Sequence, residues 1–177
     1  MKKIVAFAGS NSSTSINKQL VKFALTYFKD FEINLLDLND FEMPMFSVDL
    51  EKEQGYPENA YKFRLEMEKA DAIVCSLAEH NRNYTAVFKN TIDWCSRIDI
   101  NIFGDKPMLL MSTSPGGYGA GNAMSSGKIL LPRCGAEIIE TFSLPSFNQN
   151  FYEGKVTNET LKTELEEKIS VFKSKLS

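Results

Sequence analysis

Apolar positions along the chain follow two different spacings, one typical of strands and one of helices. Short segments rich in apolar residues predict β-strands over residues 4–8, 32–38, 72–77, 107–112 and 136–140. The first of these is an unbroken apolar run, which is typical of a strand covered on both faces of its sheet. The pattern therefore predicts a buried sheet with helices on either side.

Between these segments, apolar residues recur at helical spacing. One stripe consists of Ile16, Leu20, Phe23, Ala24 and Tyr27, and a closing stripe consists of Leu161, Leu165, Ile169 and Phe172. Further helices are predicted over residues 57–70, with Pro57 at the first helical position, and over residues 84–97 and 119–132. Each helix can bury one face against a sheet.

The order of these elements indicates the fold class. Strands that alternate with helices over 177 residues predict one α/β domain, residues 1–177, with a five-stranded parallel, doubly wound sheet. We predict the strand order 2-1-3-4-5. Residues 39–56 form a long connection that could cover either a ligand or a partner, and the sequence leaves both open.

Composition and charge narrow the possible functions. The chain is 43% hydrophobic, and its net charge is -3 with dispersed Lys and Arg, so we expect no nucleic acid partner. The apolar run near the first residue is too short for a membrane span. Cys75, Cys95 and Cys134 stand in apolar surroundings, which predicts reduced, buried thiols and a cytoplasmic protein.

The loop after the first strand carries the first candidate chemistry. Open parallel sheets bind ligands beyond the carboxyl ends of their strands. Residues 9–17 read Gly-Ser-Asn-Ser-Ser-Thr-Ser-Ile-Asn, which places several hydroxyls where a helix begins with unpaired N–H groups. This favours a phosphate cradle over plain helix capping. The loop has neither a P-loop Gly-Lys-Ser/Thr nor the spaced glycines of a dinucleotide fold, which argues against both of those classes.

Two further loops are expected at the same edge of the sheet. Residues 78–84 read Ala-Glu-His-Asn-Arg-Asn-Tyr and hold many polar and planar side chains. Residues 112–121 contain four glycines, which allow main-chain N–H and C=O groups to approach the polar edge of a flat heterocycle. Taken alone the glycine-rich loop could be a simple turn, but its position beside the other two favours a ligand site.

Together the three loops resemble those of the NADPH-dependent FMN reductase family, which includes quinone, azo-dye and chromate reductases. The resemblance runs from Lys3 to about Glu140. Ala78-Glu79-His80-Asn81 is similar to the family's Pro-Glu-Tyr-Asn loop, and Val87, Lys89-Asn90 and Ile92-Asp93-Trp94 are similar to its Leu-Lys-Asn-Ala-Ile-Asp-Trp helix. The helix motif is the most specific of these signals.

The resemblance implies a flavodoxin-like three-layer α/β/α sandwich that binds FMN noncovalently. It assigns the FMN phosphate to Ser10, Ser12, Ser15 and Asn17, the isoalloxazine ring to Glu79, His80, Asn81 and Arg82, and its pyrimidine side to Ser114, Gly116, Gly117 and Tyr118; Ile16 is a further expected cofactor-binding residue. The chain departs from the family at three positions: Ser12 stands where many members carry Arg, Ala78 replaces a proline, and His80 replaces a tyrosine.

The same resemblance implies a reductase that takes hydride from NADPH or NADH and passes it, in ping-pong order, to a quinone, free flavin or similar small-molecule acceptor. The flavin carries this chemistry itself, so we expect no catalytic side chain and no metal. His80 and Arg82 are candidates to stabilise the reduced ring or nucleotide phosphates; the alternative for His80, which a single histidine favours, is a hydrogen-bonded loop residue with no catalytic task. A homodimer or homotetramer is also implied.

Two other functions are compatible with the same fold. A flavodoxin-type electron carrier would bind FMN but exchange electrons with proteins, and the Thr-Gly-x-Thr loop of flavodoxins is absent here. A noncatalytic interaction module would have lost the flavin, which the three departures favour. Asp93, with Asn90 and Arg97, is expected to organise its helix surface. Replacing Ser15 and Asn17 by Ala is predicted to weaken FMN binding without unfolding, since both are expected in the loop and outside the core.

Overall fold

A computed structural model describes residues 1–176, which form a central five-stranded sheet with helices on both sides. The strands of this sheet are β1 (Lys3–Gly9), β2 (Glu32–Leu36), β3 (Ala72–Leu77), β4 (Lys106–Thr113) and β5 (Ala136–Leu144). Their order is β2-β1-β3-β4-β5 with every pair parallel, which confirms the predicted order 2-1-3-4-5. The order reverses between β1 and β3, where such sheets bind ligands.

Helices and short turns connect these strands. The helices are α1 (Ile16–Leu25), α2 (Val48–Gln54), α3 (Glu58–Glu68), α4 (Ala86–Ile98), α5 (Gly121–Arg133), α6 (Phe147–Asn150) and α7 (Glu159–Lys175). A 3-10 turn spans Leu38–Phe41, and two-residue strands pair as hairpins at Glu79–His80 with Asn83–Tyr84 and at Phe151–Tyr152 with Lys155–Val156. Of the helices described, none is both long and apolar enough to cross a membrane.

Alternate residues of the central strands belong to two hydrophobic clusters, one on each face of the sheet. In β1, Phe7 packs in the cluster that contains Phe63 of α3 and Trp94 of α4. Its neighbour Ala6 belongs to the other cluster, with Leu20 of α1 and the apolar stripe of α7. Side chains of a strand point alternately to opposite faces, so the continuous apolar run of β1 is buried on both faces of the sheet. The predicted three-layer α/β/α arrangement is confirmed.

Element boundaries differ from the sequence prediction at two places that matter for the site. Tyr84, predicted in a helix, lies in a short strand, because α4 begins only after Thr85, whose side chain accepts a hydrogen bond from the Phe88 amide at 3.2 Å. β5 runs to Leu144 and not to Glu140, because pairing with β4 continues as far as Thr113. The later start of α4 and the longer β5 both lie at the carboxyl edge of the sheet.

Part of the long connection over residues 39–56 is held firmly against α4. The Asn90 side chain accepts a hydrogen bond from the Phe46 amide at 2.8 Å and donates to the carbonyls of Met43 and Pro44 at 3.2 and 3.0 Å. Trp94 Nε1 also donates to the Pro44 carbonyl, at 2.7 Å. These bonds hold residues 43–46 in one conformation beside the start of α4.

Candidate functional site

A cavity of about 360 Å³ lies at the carboxyl edge of the sheet, where the loops after β1, β3 and β4 meet. Eight residues predicted for the site line it: Ser10, Ser12, Ser15, Ile16, Asn17, Glu79, His80 and Ser114. Parallel strands bring their carboxyl ends to one edge, so segments far apart in sequence converge there. The cavity is within the size range of pockets that hold small ligands.

The loop after β1 surrounds the start of α1 with hydroxyl groups. Ser15 is the N-cap of α1, and its Oγ accepts a hydrogen bond from the Lys18 amide at 3.2 Å. The Ser12 amide donates to Ser10 Oγ at 3.2 Å, and the Ser15 amide donates to the Ser12 carbonyl at 3.1 Å. The hydroxyls of Ser10 and Ser15 act as acceptors in these bonds, so each retains a hydrogen that it can donate to an anion beside the positive end of the helix dipole.

No lysine or arginine lines this cavity in the part of the chain that the structure describes. The cation nearest in sequence, Lys18, forms an ion pair with Asp37. Burial raises the pKa of Asp37, but hydrogen bonds from Lys18 and Asn39 outweigh it, so the pKa lies below its usual value. The Lys18 charge is therefore already compensated, and an anion in the cavity would depend on neutral donors and on the start of α1.

Asn17 occupies a different environment from the one expected. It lies in the first turn of α1 and is only 2% exposed. Its Oδ1 accepts hydrogen bonds from Ser76 Oγ at 2.7 Å and from the Thr113 amide at 3.1 Å, and its Nδ2 donates to the Thr113 carbonyl at 3.1 Å. The expectation that Asn17 lies outside the core is therefore wrong: its side chain joins α1 to the ends of β3 and β4.

Residues 79–84 form a tight hairpin above the cavity. Asn81 and Arg82 are the two residues of its turn, and both have positive φ, at 50° and 66°. Positive φ at both central residues is the signature of a type I′ turn, which Asn tolerates well and Arg does not. His80 lines the cavity, whereas Asn81 lines a neighbouring one of about 420 Å³ together with His80, and Arg82 is exposed and lines neither.

Glu79 links this hairpin to the loop after β4. Its Oε2 accepts a hydrogen bond from the Ala123 amide at 2.9 Å, and its Oε1 accepts one from Asn122 Nδ2 at 3.2 Å. Ala120, the N-cap residue of α5, makes no side-chain capping bond. The carboxylate of Glu79 thus caps α5 from another loop, and a negative charge at this position also interacts favourably with the helix dipole.

Packing against residues 144–145 fixes the conformation of part of the glycine-rich loop. Gly119 has φ of 61°, and a Cβ there would lie 3.2 Å from the Pro145 nitrogen, so the fold itself requires glycine. Gly116 and Gly117 differ: φ is not positive, and a Cβ on either would meet its nearest atom only at 4.0 or 3.9 Å. No neighbouring atom would block a ligand that approaches their Cα atoms, although the Gly116 carbonyl already accepts a hydrogen bond from the Ser146 amide at 2.9 Å.

Three predicted residues of this loop lie outside the cavity. Gly116 and Gly117 do not line it, and Tyr118 is 67% exposed and packs its ring over Gly121, where a Cβ would lie 2.7 Å from it. Ser114 does line the cavity, and its Oγ accepts a hydrogen bond from the Ala120 amide at 3.1 Å. The structure therefore brings the first loop, part of the second and the start of the third, as far as Pro115, together around one space, and Gly116 follows directly along the chain.

Sequence reasoning missed a second, larger cavity of about 520 Å³ between residues 41–45 and the start of α4. Only the length of the connection over 39–56 indicated that something could lie there. Sequence reasoning placed Thr14, Ala78, Thr113 and Pro115 in the three loops but did not assign them to the site, and these residues complete the wall of the first cavity. Ala78 and Thr113 are buried at strand ends, and they form part of the wall because the strands end there.

Fold and site together define a flavodoxin-like α/β protein with a cavity, lined by hydroxyl groups and by no lysine or arginine among the described residues, at the switch point of its sheet. Residues 2–149 match the model of the NADPH-dependent FMN reductase family. The chain is 32% identical over 125 residues to an NADPH:quinone oxidoreductase of Arabidopsis thaliana, covering 68% of this chain and 62% of that protein. It is 33% identical over 125 residues to a 2-hydroxy-1,4-benzoquinone reductase of a Burkholderia species, covering 70% and 66%. The alignments thus span just under two thirds of these relatives.

Solved structures agree with this relationship. FerB, a flavoenzyme NAD(P)H:(acceptor) oxidoreductase from Paracoccus denitrificans, superimposes with a TM-score of 0.75 and 26% identity over 98% of both chains. An FMN-dependent NADH-azoreductase from Bacillus anthracis, solved in complex with FMN, shares the fold with a TM-score of 0.69 and 15% identity over 100% of both chains. The chain belongs to the NADPH-dependent FMN reductase family. The predictions of family, and of FMN and NAD(P)H as the cofactors of that family, are confirmed.

Proposed function

We propose that the protein is an NAD(P)H-dependent flavin oxidoreductase that binds FMN noncovalently and reduces a quinone, free flavin or similar acceptor in ping-pong order. The observation that carries the proposal is the convergence of three loops on one cavity with hydroxyl donors at the start of α1. Family membership and relatives named as quinone reductases support the reaction class.

The donor set in the cavity fits a flavin phosphate. Ser10, Ser12 and Ser15 would bind the phosphate through their hydroxyls, aided by the backbone N–H groups of the first turn of α1. Asn17 would act indirectly, because its side chain is occupied in fixing α1 against the sheet. The ring would lie toward the hairpin and toward Gly116 and Gly117, where no side chain or close neighbour obstructs the backbone.

Bound FMN would supply the hydride chemistry. The protein's part is to bind and orient the ring and to stabilise negative charge on it. His80, at the cavity wall, and exposed Arg82 on the same hairpin are the groups proposed for that electrostatic task. Positive φ at Asn81 and Arg82 keeps the turn tight, so that both side chains are carried on a short, rigid support.

Assembly and location belong to the same proposal. A homodimer or homotetramer is proposed from the resemblance to the family. A cytoplasmic location is supported by Cys75, Cys95 and Cys134, which are all free and buried, as expected in a reducing compartment.

The test is a titration of flavin-stripped protein with FMN, followed by anaerobic NADPH or NADH and then a quinone, with flavin absorbance recorded throughout. We expect saturable binding, bleaching by the nucleotide and recovery with the quinone. Binding without bleaching by nucleotide would favour an electron carrier that is reduced by proteins. A preparation that stays colourless after FMN addition would favour a noncatalytic interaction module.

A further inference from the structure

The second cavity, of about 520 Å³, is larger than the predicted flavin cavity and has mixed chemistry. Phe41, Met43, Met45 and Val87 supply apolar surface. Methionine side chains adapt to flat rings, and pockets for heterocycles are mostly apolar with a few polar groups. Such a lining suits a planar heterocycle such as a purine.

The wall of this cavity is held in place before any ligand arrives. Asn90 and Trp94 hydrogen-bond the backbone of residues 43–46, as described above, and Phe46 packs edge-on against Trp94 with ring centroids 5.0 Å apart. A preformed wall lowers the entropic cost of binding. The feature is therefore a binding surface fixed by the fold.

Shared residues connect this cavity with the flavin cavity. Asn11 lines it and lies between Ser10 and Ser12, which both line the flavin cavity. On the other side, Ala86 is common to this cavity and to the intermediate one of about 420 Å³, which in turn shares His80 with the flavin cavity. A ligand longer than the flavin ring can thus run from one to the other along the surface.

Charge distinguishes this cavity from a general nucleotide site. Glu42 is the one charged residue in its lining, and neither lysine nor arginine lines it within residues 1–176. A carboxylate accepts hydrogen bonds from the two hydroxyls of a ribose, whereas a phosphate on the 2′ position would place about two negative charges beside it.

We propose that this cavity binds the adenosine half of the nicotinamide nucleotide, and that Glu42 makes the protein prefer NADH over NADPH. The inference rests on the proposed function and deepens it by naming the reductant. The acceptor is the less suitable occupant, because it must contact the flavin ring, whereas the adenosine end of a dinucleotide lies far from its reacting carbon. Asn11 is the contact between this cavity and the phosphate cradle.

The test uses two nucleotides that differ only in the 2′-phosphate, 5′-AMP and 2′,5′-ADP, added to the full chain without flavin. Calorimetry measures affinity, and fluorescence of Trp94 reports the location, since it is the only tryptophan and is bonded to Pro44 in the cavity wall. We expect 5′-AMP to bind about tenfold more tightly than 2′,5′-ADP and to change the fluorescence.

Variants of Glu42 separate charge from shape. Glu42→Gln is expected to weaken 5′-AMP binding about tenfold, and Glu42→Lys to reverse the preference in favour of 2′,5′-ADP. Glu53→Gln is the matched control, because Glu53 is exposed on α2, outside the lining of the cavity, and loses the same charge. In the FMN-loaded protein, the ratio of kcat/KM for NADH to kcat/KM for NADPH should be highest in the native chain, lower in Glu42→Gln and lowest in Glu42→Lys.

Val87→Phe, which fills the cavity, is expected to abolish 5′-AMP binding and raise the KM for NADH. Absence of 5′-AMP binding, equal affinity for both nucleotides, or a Val87→Phe variant that raises only the quinone KM would each overturn the inference. The last result would make the cavity an acceptor site. The FMN titration is independent of these measurements. A failure to bind FMN would refute the proposed function, whereas the nucleotide results would refute only this inference.

Discussion

Side chains without net charge dominate the predicted phosphate site. Ser10 and Ser15 are both nearly buried, and the cation closest in sequence is paired with Asp37. Hydroxyls and helix N–H groups can bind an anion without the desolvation cost of a buried ammonium or guanidinium. At the scale of single residues, Ser12 in place of the arginine that many family members carry would therefore give the proposed phosphate site one charge-assisted contact fewer.

Asn17 is the residue whose replacement should affect the fold most directly. Asn17→Ala removes the partners of Ser76 Oγ and of the Thr113 amide and carbonyl in a buried environment. We expect the free energy of unfolding to fall by about 3 kcal/mol, measured by urea denaturation. Asn11→Ala is the control, because Asn11 is exposed and the same change there should cost well under 1 kcal/mol. Equal losses would contradict the role assigned to Asn17.

At the scale of elements, the hairpin over residues 79–84 and helix α5 behave as one unit. The link is Glu79, which supplies the capping group that Ala120 lacks. Ala120 has φ of 62°, and the adjoining Gly119 is also in the left-handed region, so the chain enters α5 through a strained turn. A cap from a neighbouring loop compensates this strain and holds two predicted flavin loops at a fixed separation.

Glu79→Gln tests that link. The change removes the charge and one of the two acceptor oxygens, so we expect a loss of about 1 kcal/mol in the free energy of unfolding and FMN binding weakened several-fold. Glu137→Gln, on an exposed position of β5, should change neither quantity. The assignment fails if urea denaturation and FMN titration give the same values for both variants.

At the scale of the whole molecule, the three cysteines report on the core. Cys75, Cys95 and Cys134 all belong to the cluster between the sheet and helices α3, α4 and α5. Burial raises the pKa of the Cys95 thiol to about 12, and burial also raises the pKa of the Cys75 thiol. The folded state therefore holds these thiols neutral over a pH range in which an unfolded chain would ionise them.

This coupling gives stability a defined dependence on pH. An unfolded thiol ionises near pH 8.5, so stabilisation from neutral Cys95 is complete below that value and is lost as pH rises toward the folded pKa of about 12. Between about pH 7.5 and about pH 9.5, the free energy of unfolding should fall by about 1.4 kcal/mol more in the native chain than in Cys95→Ala. Urea denaturation at both pH values measures this, and parallel losses in the two proteins would refute it.

Spacing along the chain was sufficient to predict the sheet and its five longer helices, whereas the short helices α2 and α6 were not predicted. Each central strand is a short apolar segment, and each main helix carries a stripe that matches the sheet it covers. The hairpin at 79–84 and the end of β5 were not predictable in this way. Thr85 decides where α4 begins, and pairing of β5 with β4 decides how far β5 extends, and both depend on contacts with other segments.

The sequence by itself determined the fold class and the three loops that meet at the carboxyl edge, because hydrophobic periodicity and loop composition are local properties. The strand order was predicted correctly, but it depends on pairing between distant strands, which the structure decides. Only the tertiary structure decided what each side chain of those loops contacts. Asn17 and Glu79 look alike in the sequence as polar loop residues. Asn17 is committed to the ends of β3 and β4 by partners about 60 to 100 positions away, and Glu79 to the start of α5 by partners about 40 positions away. Local pattern carries no information about such distant partners, since only the packed sheet brings them within hydrogen-bonding distance.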